Sequence, residues 1–199
     1  MSTRLPAARR RRQLLEVALR VFAEQGFYVT SMSDIAEAAG VTKPVLYQHF
    51  ASKRELYAHL LSEVGNQLQE AITKAVASAS SPRAMVEDGF AAYFHFVDSH
   101  RDAFQIFYAS GSWRDEEFSA LVHEVENSLA ETVAGLIEIE GLSDEQRRLL
   151  GHGIVGMIEG ASTHWLSSRA SADPDDLTRQ LADLAWRGLR GVRPERSEK

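Results

Sequence analysis

Residues 35–50, IAEAAGVTKPVLYQHF, predict two short helices joined by a sharp turn. Ile35 starts the apolar face of the first helix, and Gly40 is the residue type that ends a helix with a positive φ. Leu46 and Phe50 lie four positions apart, so they share one face of the second helix and predict its buried side. The stretch therefore predicts a helix–turn–helix.

The outward face of the second helix suits contact with DNA. It carries no carboxylate, and its side chains are those of Lys43, Pro44, Val45, Tyr47, Gln48 and His49. Thr42 precedes this helix as its expected N-cap, with the hydroxyl accepting a hydrogen bond from the backbone N–H of Val45. Donors, apolar contacts and an aromatic hydroxyl on one helix fit the major groove. On this stretch alone, an ordinary helical corner is the alternative interpretation.

The flanking sequence favours the DNA-binding interpretation. Upstream, residues 12–25 repeat apolar side chains at helical spacing and stop at Gly26. Ser31, with Asp34 three residues later, predicts a capped start for the next helix. Downstream, residues 52–55 form a capping box that opens a long helix. Three short helices that lead into one long helix predict a compact DNA-binding module.

This region resembles the N-terminal domain of the TetR family of bacterial transcriptional regulators, over about residues 10–60. The resemblance is carried by Phe22, Gly26, Thr30, Ile35, Ala36, Ala39-Gly40-Val41, Leu46-Tyr47, His49-Phe50, Lys53 and Leu56. Pro44 stands where many members have glycine, in a first helical turn where proline loses no hydrogen bond. The resemblance implies a homodimeric regulator, most often a repressor, that leaves a palindromic operator when a small molecule binds.

The resemblance also implies a division of roles on the DNA side. Base edges would be contacted by Ser33, Lys43, Pro44, Val45 and Gln48. Phosphates would be held by Ser31, Thr42, Tyr47, His49 and Lys53. Lysine can donate to guanine and glutamine can pair with adenine, whereas phosphate contacts set register and not sequence.

A basic run lies where the first helix is expected to begin, and it consists of Arg9, Arg10, Arg11 and Arg12. Cations at a helix N-terminus oppose the helix dipole, so this placement favours contact with phosphate or the minor groove over helix stability. A solvated tail is the alternative. We expect residues 1–9 to form a disordered basic arm.

Composition is that of an ordinary globular protein, with 199 residues, 44% hydrophobic and 25% charged. The absence of cysteine excludes disulfides and thiolate metal sites. No apolar run approaches the roughly 18–20 residues that cross a bilayer, and no apolar segment follows the N-terminal arginines as in a secretory signal. We therefore expect a cytoplasmic protein with no membrane partner.

Charge is divided unevenly along the chain. Residues 1–60 hold nine Arg or Lys and five acidic residues, a net charge of +4. The remaining residues carry a net charge of −10, within a total of −6. A polyanion such as double-stranded DNA would be attracted to the N-terminal third and repelled by the rest.

No segment shows sustained period-two alternation, so the sequence predicts an all-α fold of about nine helices. Capping residues and breaks place the later helices at about 82–99, 101–108, 115–138, 144–168 and 174–190. We predict a helix–turn–helix domain over residues 10–58, a helical effector-binding and dimerisation domain over 59–192 and a disordered tail over 193–199.

The second domain is rich in aromatic side chains, and apolar walls with a few polar groups are typical of a small-molecule pocket. We predict a pocket for an apolar or amphipathic effector, lined by Phe90, Tyr93, Phe94, Phe104, Phe107, Tyr108, Trp113, Phe118, His123, Met157 and His164. Ordinary core packing is the alternative for each aromatic residue.

The predicted eighth helix contains an unusual number of glycines. Each costs about 0.5–1 kcal/mol relative to alanine in a helix interior, so their presence suggests close approach by another helix. By the family resemblance we assign a dimer interface to Gly153, Gly156, Gly160, Trp165, Leu177, Leu181, Leu184 and Trp186. Intramolecular packing against the long middle helix is the alternative.

Signatures of enzymes and cofactor sites are absent from the sequence. It contains no HExxH motif, Walker loop or nucleophile elbow. Its seven histidines include no pair four residues apart, so a two-histidine metal site on a helix is not supported. We expect a regulator that is not an enzyme, with no metal or cofactor. A DNA-binding protein without small-molecule control and a helical ligand carrier are the alternatives.

Overall fold

The structure, a computed structural model, describes residues 6–108, 115–167 and 173–193. These residues form nine helices and no strand, which confirms the predicted all-α class. The helices are α1 Ala7–Gln25, α2 Met32–Ala38, α3 Lys43–Tyr47, α4 Lys53–Ala77, α5 Pro82–Ser99, α6 Arg101–Tyr108, α7 Glu116–Leu136, α8 Asp144–Ser167 and α9 Pro174–Gly191.

Contacts divide the chain into two compact units. The head unit holds residues up to 65 together with 101–122, and the body unit holds 66–100 together with the residues from 123 onward. The head unit is therefore larger than the predicted domain of residues 10–58, because α6 and the first turns of α7 join it. The helices α4 and α7 each contribute residues to both units.

The first helix begins earlier than the sequence pattern indicates. It starts at Ala7, so the predicted disordered arm over residues 1–9 is wrong for 7–9, while 1–5 lie outside the described residues. Pro6 provides no side-chain cap and the first turn has no acidic residue, so the arginines oppose the helix dipole from within α1. Gly26, with φ of 80°, ends the helix as predicted.

The helix–turn–helix itself is closed by local hydrogen bonds. Ser31 and Asp34 form the predicted capping box: the Asp34 N–H donates to Ser31 Oγ at 3.2 Å, and the Ser31 N–H donates to Asp34 Oδ2 at 2.8 Å. Gly40 makes the turn with φ of 63°. The cap predicted for the Thr42 hydroxyl is wrong, because the Thr42 carbonyl and not its side chain accepts from Val45 N–H, at 2.9 Å.

An aromatic cluster explains why α6 and α7 belong to the head unit. The ring of Tyr57 contacts Phe22 at 5.0 Å and Phe118 at 4.7 Å between centroids, and Phe118 also meets Phe27 at 4.9 Å. The buried Tyr57 hydroxyl donates to the carbonyl of Ile106 on α6 at 3.0 Å. Burial of these rings contributes strongly to the stability of the head unit. The three N-terminal helices do not supply all the rings, because Tyr57 is on α4 and Phe118 is on α7.

Charge also joins the first turn of α4 to the start of α7. Arg54 Nη1 lies 2.8 Å from Asp115 Oδ2, and Arg54 Nη2 lies 2.7 Å from Glu117 Oε2. The guanidinium stacks over Phe118, 4.8 Å from the ring centroid. Hydrogen bonds from Arg54 hold the pKa of Asp115 below its usual value. The head unit thus has ionic as well as aromatic contacts to α7.

In the body unit, α5 packs along α9 and touches α8. A side-chain cap begins each of α5 and α9: Ser81 Oγ accepts from Ala84 N–H at 3.1 Å, and Asp173 Oδ1 accepts from Asp175 N–H at 2.9 Å. Phe94 on α5 contacts Trp165 on α8 with ring centroids 6.1 Å apart. Buried aromatic packing therefore fixes α5 against α8.

The helices α7 and α8 approach each other closely at one glycine. A Cβ added to Gly151 would lie 2.4 Å from the carbonyl oxygen of Ala130 on α7. Such a distance is impossible without moving a helix, so only glycine fits at this crossing. Part of the glycine content of α8 is thus explained by intramolecular packing, at Gly151 and not at the three glycines assigned to a dimer.

We expect Gly151→Ala to lower the free energy of unfolding by about 1–3 kcal/mol, the range for overpacking a tight site. Gly135→Ala is the matched control, because a Cβ at this exposed glycine of α7 meets no atom within 4 Å. Denaturant unfolding of both variants at one protein concentration measures the difference. Equal stability of the two variants would mean that α7 and α8 have room to separate.

Candidate nucleic-acid interface and effector-domain residues

The outward face of α3 is exposed, as the sequence predicts. Leu46 within α3 and Phe50 just after it are fully buried at 0% exposure, so they anchor the helix from beneath. The exposed side chains include Tyr47, which is 44% accessible, and Gln48. Lys43, Pro44 and Thr42 are also exposed, and Val45 and His49 are half-buried. The short helix therefore exposes its polar side chains to solvent, while Leu46 and Phe50 hold its other side in the core.

The helix α2 packs against α3, and the start of α2 adds a second set of exposed polar side chains. Ser31 and Ser33 are exposed there. Ser31 Oγ accepts the capping hydrogen bond from the Asp34 N–H. Hydrogen bonds from the Ser31 backbone and side chain lower the pKa of Asp34. This carboxylate is therefore committed to the helix N-terminus.

The four arginines of α1 have different surroundings. Arg9 and Arg12 are exposed. Arg10 Nη1 donates to Gln13 Oε1 at 2.7 Å, and the Arg11 guanidinium stacks 4.7 Å from the centroid of Phe50. The contact of Arg11 with Phe50 places one cation of α1 beside the segment that follows α3.

Lys53 is placed differently from the other predicted phosphate contacts. Its ammonium donates to the carbonyl oxygens of Phe27 and Thr30, each at 2.7 Å. The N–H donors of Lys53 are thus directed to the loop between α1 and α2.

The residues predicted to line an effector pocket are divided between the two units. Phe104 and Phe107 on α6 and Phe118 on α7 are buried in the head unit. The predicted aromatic residues on α5 are buried in the body unit: Phe90, Tyr93 and Phe94. Met157 is half-buried, and His123 and His164 are exposed. Trp113 and the Tyr108 side chain lie outside the described residues. The aromatic packing of Phe118 accounts for its burial, and the pocket remains a prediction.

A surface groove of about 550 Å³ does lie in the body unit, between the end of α7 and the start of α8. None of the predicted aromatic residues lines it. Its charged lining residues are Glu131, Glu138, Glu140, Asp144, Arg147 and Arg148. A groove with this lining does not match the apolar site that the sequence predicts.

A carboxyl pair lies between α7 and α8 in the body unit. Burial and the neighbouring Glu126 raise the pKa of Glu159 to about 7. Glu126 Oε2 lies 2.9 Å from His123 Nδ1, while its buried Oε1 makes no hydrogen bond of standard geometry. Glu159 therefore holds a proton at a pH where an exposed glutamate is ionised.

We expect Glu159→Gln to stabilise the protein at pH 8 by about 1–2 kcal/mol. This is less than the free energy that corresponds to the full pKa shift of Glu159, because the side chain is only half-buried. A raised carboxyl pKa means that wild-type stability falls as the pH rises from 4.5 to about 7. The difference between variant and wild type should therefore vanish near pH 4.5. Unfolding at both pH values tests this, with exposed Glu124→Gln as the charge control; a pH-independent difference would contradict it.

One face of α8 is open in the single chain. Gly153, Gly156 and Gly160 are exposed, and a Cβ added at any of them would meet no atom within 4 Å in the part of the chain that the structure describes. Leu149, one turn before Gly153, is 72% exposed. Leu184 on α9 is 58% exposed, and the other predicted interface residues of α9 are half-buried: Leu177, Leu181 and Trp186.

Trp165 does not belong to this open face, which corrects its assignment to a dimer interface. It is only 3% exposed and packs against Phe94. The reason is helical periodicity: Trp165 shares the buried side of α8 with Ile158 and Ser162. His164, in contrast, is exposed four residues after Gly160 and therefore lies on the open side.

In the described part of the chain, no helix has the length and apolar character needed to span a membrane. The same residues contain no group of three or more histidine, cysteine or acidic side chains arranged to hold a metal ion.

Two families match the sequence. Residues 14–60 match the family described as bacterial regulatory proteins, tetR family. Residues 82–188 match the Tetracyclin repressor-like, C-terminal domain. The first match covers the helix–turn–helix and the second covers more than half of the chain.

Relatives with known names are transcriptional regulators. The chain is 30% identical to the HTH-type transcriptional activator FasR of Mycolicibacterium smegmatis, over 98% of this chain and 89% of that protein. It is also 30% identical to the HTH-type transcriptional repressor KstR2 of Rhodococcus jostii, over 93% of this chain and 80% of that protein. These two relatives have opposite effects on transcription.

Solved structures share the fold. A TetR-like transcriptional regulator from Rhodococcus sp. RHA1 superposes with a TM-score of 0.76 at 32% identity, over 95% of this chain and 100% of that one. The regulator FadR from Bacillus subtilis, solved in complex with stearoyl-CoA, has a TM-score of 0.76 at 20% identity, over 92% and 99% of the two chains. The second likeness concerns the fold alone.

Proposed function

Because this chain belongs to the TetR family of bacterial regulatory proteins, we propose that it is a homodimeric repressor of transcription. It binds a palindromic operator in double-stranded DNA and releases it when a small apolar or amphipathic effector binds. The observation that carries the proposal is the exposed, carboxylate-free face of α3 above the buried Leu46 and Phe50. Its place of action is the cytoplasm, where the DNA lies, and it has no enzymatic activity.

The side chains of the head unit that would contact DNA divide into two groups in this proposal. Those that meet base edges are Ser33, Lys43, Pro44, Val45 and Gln48. Those that hold phosphates are Arg9, Arg10, Arg11, Arg12, Ser31, Thr42, Tyr47 and His49. The positive charge of residues 1–60 supports this arrangement, because phosphate contacts supply affinity that is independent of sequence.

The open face of α8 supports the proposed dimer. Glycines weaken a helix, and a Cβ at Gly153, Gly156 or Gly160 would meet no atom of the described residues within 4 Å. Close packing by a second copy of the chain would explain why glycine stands at these positions. Leu184 on α9 adds exposed apolar surface in the same body unit. Two copies of α3 about 34–36 Å apart match successive major grooves. A dimer provides two copies of α3, whereas a monomer provides only one.

The interior of the body unit supports a ligand site there. Buried polar atoms without a hydrogen-bond partner among the described residues include Gln69 Oε1, Ser162 Oγ and Thr178 Oγ1, all in this unit. Such atoms are few in native proteins and each calls for a partner. The buried aromatic residues of α5 supply the apolar part of a site. Because the FadR structure from Bacillus subtilis contains stearoyl-CoA, a long-chain acyl-CoA is the first effector to test.

The proposed mechanism has two states. The helices α4 and α7 contribute residues to both units, so a shift of either helix in the body unit also acts on the head unit. An effector releases DNA only if it binds the DNA-incompetent state more tightly than the competent one. This equilibrium controls the distance between the two copies of α3 in the dimer.

Selection of genomic fragments by the purified dimer, followed by footprinting, tests the proposal. We expect a discrete protected palindrome, reduced transcription from its promoter and release by an effector such as stearoyl-CoA. Equal affinity for all DNA would instead favour a DNA-binding protein without operator control. Ligand binding with no salt-dependent DNA affinity would favour a helical carrier. Increased transcription from the promoter would contradict the repressor assignment.

A further inference from the structure

The ammonium group of Lys53 is enclosed by the loop that joins α1 to α2. Lys53 Nζ donates to the carbonyl oxygens of Phe27 and Thr30 at 2.7 Å each, and lies 3.4 Å from that of Tyr28. It also lies 4.4 Å from the centroid of the Phe27 ring. An ammonium has three N–H donors, so these acceptors account for all of them.

The loop that receives Lys53 leads directly into α2. Thr30 is 1% exposed, and its hydroxyl donates back to the carbonyl of Gly26 at 2.8 Å. The next residue, Ser31, is the N-cap of α2. The positions of Ser31 and of α2 therefore depend on how the segment from Gly26 to Thr30 is held.

We propose that Lys53 is a positioning residue of the DNA-binding surface: from the first turn of α4 it fixes the start of α2, and it does not bind a phosphate. This inference rests on the proposed DNA-binding function and changes the role expected for Lys53. If Lys53 turned to a phosphate, the carbonyls of Phe27 and Thr30 would lose their charged donor. Burial lowers the pKa of Lys53, with Asp34 acting in the opposite direction, which agrees with a side chain directed into the protein.

Salt dependence of operator binding separates the two roles. Loss of a phosphate contact reduces the salt slope by about 0.9, or about 1.8 for the two subunits of a dimer. We expect Lys53→Met to weaken binding to the selected operator duplex with the slope unchanged. Arg12→Met measures the slope change when an exposed cation is lost. A slope for Lys53→Met that is shallower by about 1.8 would overturn the proposal.

A charge-conserving variant provides a second test. Arginine binds phosphates well, but its planar guanidinium directs its donors differently from the three N–H groups of an ammonium. We expect Lys53→Arg to bind the operator duplex more weakly than the wild type, with the wild-type salt slope. Wild-type affinity in Lys53→Arg would overturn the positioning role.

Amide hydrogen exchange tests the same role without DNA. We expect exchange in the first turn of α2, from Met32 to Ile35, to be faster by at least about tenfold in Lys53→Met, because local opening there becomes easier. Arg12→Met should leave these amides unchanged. Unchanged exchange in Lys53→Met would overturn the inference. A wild-type protein that fails to bind any operator would instead overturn the proposed function, so the two failures are distinct.

Discussion

Gly156→Arg is expected to yield a monomer that binds the operator at least about 100-fold more weakly, because simultaneous engagement of two half-sites is lost. A Cβ at Gly156 meets no atom of the described residues within 4 Å, so a side chain can begin there without a clash inside the protomer. Arginine is also a better helix former than glycine, by somewhat less than the roughly 0.8–1 kcal/mol that separates glycine from alanine. The new side chain occupies the space that a second helix packed on this face would need.

Light scattering gives the mass of the variant, and fluorescence anisotropy on the selected operator gives its affinity. Gly135→Arg is the matched control, since Gly135 is also helical and exposed and has equally open surroundings on α7. It introduces the same charge and the same side chain on α7 and not on the open face of α8. A Gly156→Arg protein that stays dimeric and keeps wild-type affinity would remove this face of α8 from the proposed interface.

Gln48→Ala and Tyr47→Ala are expected to have different effects on specificity, although the two residues are adjacent at the end of α3. A base contact is worth about 1–3 kcal/mol, so loss of Gln48 from both half-sites should reduce the preference for operator over random DNA at least about 30-fold. Tyr47→Ala should weaken binding to both DNAs by a similar factor, because a phosphate contact carries no sequence information. Both side chains are exposed, so neither change removes core packing.

Titrations of both variants against the operator duplex and a scrambled duplex of the same length give the specificity ratio. Thermal unfolding of each variant checks that the head unit is intact. The division of roles is wrong if both variants lose sequence preference to the same extent. It is also wrong if Gln48→Ala weakens binding to the two duplexes equally.

Helix ends were accessible from the sequence because the interactions that set them are local. Ser31, Ser81 and Asp173 cap their helices through N–H groups two or three residues ahead. Gly26 and Gly40 have the positive φ values that their positions require. The start of α1 was misplaced because no cap or acidic first turn marks it. Thr42 was misassigned because a side chain and a carbonyl compete for the same N–H.

Aromatic residues were harder to assign because periodicity identifies an apolar face but not what covers it. Phe118 completes a cluster with Phe27 and Tyr57, which are far from it in the chain. Trp165 packs on Phe94 and not on the open side of α8. Neither pairing leaves a trace in local spacing, so aromatic composition suggested a pocket for Phe118 and the family resemblance suggested an interface for Trp165.

Sequence alone determined the helical class, the helix–turn–helix and its outward polar face, since each depends on residues within about one helical turn of each other. Tertiary structure alone decided that α6 and the start of α7 complete the head unit, that Gly151 marks a helix crossing and that Lys53 is directed inward. Lys53 meets Phe27 across 26 residues of chain. Contacts at such separations depend on how whole helices pack, and no local pattern of residue types encodes them.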